Sequence, residues 1–152
     1  MVVGLISDTH GLVRPEIFTA LAGVEAILHA GDVGGAGVLA ELRVIAPVHA
    51  VYGNTDAPGE SLPAELDLRM AGLSIRVSHG HEVGSPTPAK LLARTKADVI
   101  VFGHTHKPLV ERIGPRLVVN PGAAGPRRFN LKPSVARMTV ANGHADVEIV
   151  WL

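Results

Sequence analysis

Val99-Ile100-Val101-Phe102-Gly103-His104-Thr105-His106 is the stretch on which the fold turns. Four β-branched or aromatic residues closed by a glycine predict a buried strand ending in a turn. Two histidines then stand just past a strand's carboxyl end, where α/β sheets keep their sites. At i, i+2 spacing in extended backbone their imidazoles project to the same side, close enough to share one metal or to serve one each of a pair. Two histidines are only half a metal site, and the alternative is a pair of solvated loop residues. The rest of the chain decides between them.

Toward the N-terminus the pattern repeats. Val2 to Ile6 reads as a strand delivering Ser7-Asp8-Thr9-His10, so that Asp8 and His10 share the same spacing. They are either metal ligands or, for Ser7 and Asp8, caps of a helix that starts near Pro15 and carries Ile17, Phe18, Leu21 and Ala22 at helical spacing. Ala26 to Ala30 reads as a second strand ending at Gly31-Asp32, whose carboxylate can bridge two cations. His29 on that strand reads as a packed residue or one that supports a ligand. A helix follows over 34–45 with Val38, Leu39 and Leu42 inward. Val48 to Tyr52 then leads to Gly53-Asn54-Thr55-Asp56, where Asn54 is either a carbonyl ligand for a hard cation or part of a plain turn. Ala57 to Pro63 is a Pro- and Gly-containing surface loop. Glu65 to Met70 and Leu73 to Ser78 form a predicted hairpin ending at His79-Gly80-His81, one of which can complete a second metal's shell. Ser85 to Pro88 is positioned to cap a helix over 89–96 with Leu91, Leu92 and Thr95 inward.

Beyond His106, Leu109 to Ile113 and Arg116 to Val119 read as a hairpin leading to Asn120-Pro121-Gly122-Ala123, a turn that brings backbone amides toward the strand ends. Arg127 and Arg128 are either a phosphate clamp or solvated surface. Val135 to Val140 and Ala145 to Trp151 form a closing hairpin around Asn142-Gly143. At 152 residues, 47% apolar and 18% charged, with neither repeat nor linker, the chain reads as one α/β domain over residues 1–152. With 14 acidic and 14 basic residues it has no net charge to draw duplex nucleic acid over a distance. Absent cysteine excludes disulfides, thiolate ligands and a cysteine nucleophile. The short apolar start is too brief for a leader or membrane span, so a cytoplasmic protein that meets no membrane is expected, and a homo-oligomer is compatible with this composition.

Asp8-x-His10, Gly31-Asp32, Gly53-Asn54, His79 and Gly103-His104-x-His106 fall in order at successive strand ends. Together they resemble the metallophosphoesterases, also called calcineurin-like phosphoesterases. The Asn120 turn and the compact length are similar to the family's small bacterial and archaeal phosphodiesterase branch. The resemblance implies two mixed β-sheets packed as a sandwich with flanking helices, the metallophosphatase four-layer fold. It further implies two divalent metal ions, Mn²⁺ first, with Ni²⁺, Fe²⁺ or Zn²⁺ as alternatives. One would be held by Asp8, His10 and His106, the other by Asn54, His79 and His104, with Asp32 bridging. Carboxylate, imidazole and amide donors suit such ions. Cations about 3.5–4 Å apart lower the pKa of a bridging water, which attacks a small phosphodiester in line as hydroxide.

Many members of the superfamily carry a histidine directly after Gly-Asn, where this chain has Thr55. Threonine is no general acid at neutral pH, so esters with good leaving groups are expected to be preferred, with His81 a candidate proton donor. The residues carrying the chemistry are then Asp32, Asn54 and His81. A phosphomonoesterase or nucleotidase on the same centre, a non-catalytic protein-binding scaffold and a mononuclear metal binder are the competing readings.

Overall fold

The computed structural model describes residues 1–57 and 61–152, so Pro58, Gly59 and Glu60 of the expected surface loop lie outside the described residues. Two mixed five-stranded sheets form the molecule. In the first, β1 (Val2–Ile6) pairs in parallel with β2 (Ala26–His29), and β2 with β3 (Val48–Ala50). In the second, β5 (Leu73–Ser78), β6 (Val99–Val101) and β8 (Arg116–Asn120) run parallel, flanked by β4 (Glu65–Met70) and β7 (Leu109–Ile113) as antiparallel edges. The closing hairpin, β9 (Ser134–Ala141) and β10 (His144–Trp151), returns to the first sheet, where β9 lies antiparallel beside β1.

Alternation along the strands builds the layers. Val3, Leu5, Val99, Val101, Leu117 and Val119 enter the core between the sheets. Ile6 and Ile27 face outward onto α1 (Glu16–Ala20) and α2 (Ala36–Leu42). Ile100 and Val118 face outward onto α3 (Pro88–Leu92). Strands covered on both faces are apolar at every position, which is why the Val99 run shows no polar alternation.

The helices are shorter than their periodicity predicts. Along α1 and its C-terminal cap, Ile17 and Leu21 are buried against the sheet and Ala20 partly so, whereas Phe18 is 39% exposed and Ala22 is exposed too. The expected helix over 89–96 stops at Leu92, capped at its start by Thr87, whose hydroxyl accepts from Lys90 N at 3.3 Å. The Arg116 guanidinium ends it by donating to the carbonyls of Leu92, Thr95 and Ala97 at 3.2, 2.7 and 2.9 Å. β3 ends at Ala50 rather than at Tyr52, because Tyr52 N turns to Pro63 O.

Candidate metal centre

The carboxyl ends of β1, β2 and β3 meet those of β5, β6 and β8 along one edge of the sandwich. Backbone bonds tie the turns within each sheet: Asp8 N donates to Gly31 O at 3.0 Å and His10 N to Asp32 O at 2.9 Å in the first, Gly103 N to His79 O at 3.0 Å in the second; His104 N to Asp8 Oδ2 and His79 Nδ1 to Ala30 O join the two. Glycine is required where these turns touch. A β-carbon at Gly53 would overlap the Asp32 carboxylate, and one at Gly103 would overlap the Ser7 hydroxyl.

Asp8, His10, Asp32, His104 and His106 all have positive φ, between 44° and 71°. The extended backbone expected from the i, i+2 spacing is therefore corrected: each pair reaches a common side through left-handed residues. Such conformations cost about 1–3 kcal/mol each and persist where surrounding bonds over-determine them. Here the turn-to-turn bonds do so.

Asp8 is fully buried and is not a helix cap. Its Oδ2 accepts from Ser7 Oγ at 2.7 Å and from His104 N at 3.1 Å. Among the described residues its Oδ1 has no hydrogen-bond partner, and neither does His10 Nε2. Around that oxygen stand the Nε2 atoms of His106, His10 and His79, at 3.4, 3.7 and 3.8 Å. These separations are long for hydrogen bonds but close to those of ligands that sit about 2.1 Å from one shared cation. Asp32 Oδ2 lies 3.3 Å from His79 Nε2 and 3.7 Å from His10 Nε2, between the two halves of the cluster. Asn54 Oδ1 lies 3.0 Å from His79 Nε2 and 3.1 Å from His104 Nδ1.

His79 Nδ1 donates to Ala30 O at 2.7 Å, which leaves Nε2 to face three acceptor oxygens. Burial opposes its protonation, yet Asp32 and Asp8 outweigh burial and hold it above the usual histidine value. Burial likewise acts to raise Asp8, but His10, His106, His79 and Ser7 together hold its carboxyl well below the carboxylate range. Asp32 is brought to about 2: burial raises it, while His79 and the Thr55 amide lower it further. Burial and the neighbouring His79 keep His104 below the usual value. Anionic carboxylates facing imidazole nitrogens across a gap form a donor set that fits a divalent cation. Two geometric groups stand out among the described residues, Asp8–His10–His106 and Asp8–Asp32–His79. Asn54 and His104 adjoin the second.

His81 sits at the rim, its ring centroid 5.4 Å from that of His79 and 6.3 Å from that of His104. Arg127 and Arg128 are exposed, and Arg127 donates to Asn130 O of its own loop rather than to the cluster. The Asn120 turn contributes as expected, through Ala124 N to Ser7 O at 2.9 Å and Gly125 N to Asp8 O at 3.2 Å.

Three supporting side-chain roles escape a reading by motif. Asp56 gathers the amides of Val33, Gly34 and Gly53 at 2.9–3.0 Å, locking the Asp32 and Asn54 turns together. Its place just after a Gly-Asn turn was the available signal. The Asn120 side chain donates to Gly103 O at 3.1 Å and Thr105 Oγ1 at 3.0 Å, bracing the turn that carries His104. Thr9 donates to Val33 O at 2.7 Å, and its oxygen accepts from His29 Nε2 at 3.0 Å. His29 Nδ1 in turn accepts from Gly31 N at 3.1 Å, so His29 is the packed histidine that supports the turns carrying Asp8, His10 and Asp32.

Residues 1–143 match the calcineurin-like phosphoesterase superfamily domain. A probable metallophosphoesterase of Methanothermobacter thermautotrophicus is 34% identical over 159 residues, spanning 99% of this chain and 92% of that protein. A phosphodiesterase of Methanocaldococcus jannaschii is 29% identical over 141 residues, spanning 80% of this chain and 83% of its own. Among solved structures, Zn²⁺-complexed Vps29 of Entamoeba histolytica has a TM-score of 0.79 at 26% identity and covers 99% of each chain.

Proposed function

The chain belongs to the calcineurin-like phosphoesterase superfamily, and from that membership we propose that it is a cytoplasmic, metal-dependent phosphodiesterase acting on a small phosphodiester through two divalent ions, Mn²⁺ in first place. The observation that carries this reading is the buried donor set, with Asp8 Oδ1 and His10 Nε2 left without hydrogen-bond partners among the described residues and aimed into one gap. Asp8, His10 and His106 would hold one ion, Asn54, His79 and His104 the other, with Asp32 between them. When bound, such a pair supplies a water of lowered pKa, deprotonated to hydroxide as the nucleophile, and positive charge for the phosphoryl oxygens.

The chain's own residues set the geometry. Ser7, His104 N and the Ala30 carbonyl fix Asp8 and His79 so that their remaining atoms face the gap. Thr55 turns its amide, 2.9 Å away, to Asp32 Oδ1 and brings no acid. His81, with Nδ1 3.5 Å from Glu82 Oε2, stands where it can protonate a leaving group. The test is metal-stripped protein reconstituted with Mn²⁺, Ni²⁺, Fe²⁺ or Zn²⁺ and offered matched diesters and monoesters of graded leaving-group pKa. Diesters should turn over faster, good leaving groups fastest, and His81→Gln should slow poor leaving groups most. Faster monoester turnover would favour a phosphomonoesterase, and no turnover with any metal would favour a binding scaffold.

A further inference from the structure

A further feature lies beside the cluster. Phe129 is 78% exposed, yet its ring centroid is 6.0 Å from that of His106, edge to face. A single exposed apolar side chain needs no explanation, but two further observations set this one apart. Phe129 and Asn130 both have φ of 57°, a left-handed conformation that a bulky aromatic residue rarely adopts. Phe129 also walls an open cavity of about 450 Å³ with Thr105, Lys107 and Leu131, adjoining the turn that carries His104 and His106.

The loop is held in register with the centre. Its start is tied to the Asp8 turn by Ala124 N to Ser7 O and Gly125 N to Asp8 O, and Arg14 Nε donates to Gly125 O at 3.1 Å. Its far side closes through Leu131 N to Arg128 O at 2.9 Å. A ring presented by strained backbone from an anchored base, next to a cationic Lys107, suits a ligand with an anionic head and a flat apolar body. Aromatic faces take planar π-systems by stacking and tolerate their identity.

We propose that Phe129 is the platform on which the planar aromatic group of the substrate ester stacks while its phosphate lies over the Asp8–His106 cluster; this rests on the phosphoesterase reading of that cluster. Phe129 then sets specificity by contact, apart from any preference that leaving-group acidity imposes.

Phosphonates separate the two effects because they have no leaving group. Calorimetry on Mn²⁺-reconstituted protein would compare phenylphosphonate and an adenosine 5′-phosphonate with methylphosphonate, in wild type, Phe129→Ala and Phe129→Tyr. Wild type should hold an aromatic phosphonate about tenfold more tightly than methylphosphonate. Phe129→Ala should remove most of that ratio, and Phe129→Tyr should restore it. The phenyl and adenosine arms tell a ring next to phosphorus from a base one sugar away. Equal affinities in wild type, absence of aromatic phosphonate binding, or a ratio that survives Phe129→Ala would overturn the proposal. Turnover of alkyl diesters tests the phosphoesterase reading separately, since it asks nothing of Phe129.

Discussion

His29 shows how a residue outside the proposed ligand set can hold the turns that carry it. Its two nitrogens are committed as Nε2–H donor to Thr9 and Nδ1 acceptor from Gly31 N, an arrangement only the neutral ring satisfies. Complete burial pulls its pKa down from 6.5 to about 4. The folded value lies below the unfolded one, so the associated stability is fully present above pH 6.5 and is lost as pH falls toward 4. The stability difference between metal-stripped wild type and His29→Gln should therefore shrink by about 1.4 kcal/mol per pH unit across that window. Urea unfolding at several pH values measures it, and a constant difference would assign the shift elsewhere. Subtracting the variant matters because His79, whose pKa is raised, adds stability that is present below pH 6.5 and lost as pH rises. The residue types of the cluster were legible in sequence because Asp, Asn and His have few reasons to follow Gly-flanked strand ends so regularly. The left-handed backbone that carries five of them was not legible, since only contacts between turns distant in sequence stabilise it.

Elements obey the same division between local and distant causes. The hairpin turns at Ala71-Gly72 and Asn142-Gly143 are local, with positive φ at both central residues, and both hairpins formed where the sequence places them. The length of α3 is not local: Arg116, on a strand of the second sheet, takes the Leu92 carbonyl that a longer helix would have used itself, together with those of Thr95 and Ala97. Arg116→Met keeps the aliphatic stem and removes those donors. It should destabilise the protein by about 2 kcal/mol and speed amide exchange across residues 93–97. An unchanged unfolding midpoint would show that water replaces the guanidinium without cost. Phe18 marks a comparable limit, because it is turned about 100° round the helix from Ile17 and so leaves the stripe that Ile17 and Leu21 bury.

Across the whole molecule the centre joins the two sheets. Asp8, His10, Asp32 and Asn54 come from strand ends of one sheet, and His79, His104 and His106 from the other. The sequence order of these motifs told that strand ends converge. The return of β9 to pair Val2 with Thr139 was beyond local pattern, because nothing near either residue encodes so distant a partner. Candidate ligands drawn from both sheets make the fold and the proposed chemistry one question. The most direct measurement is a Mn²⁺ titration of metal-stripped protein, following bound metal per chain and diester turnover together in wild type, His104→Ala and His106→Ala. Wild type should bind two ions and gain turnover as the second fills, and each variant should weaken one ion while leaving the other. Turnover in fully stripped protein, or two ions bound with no turnover of any ester, would contradict the account.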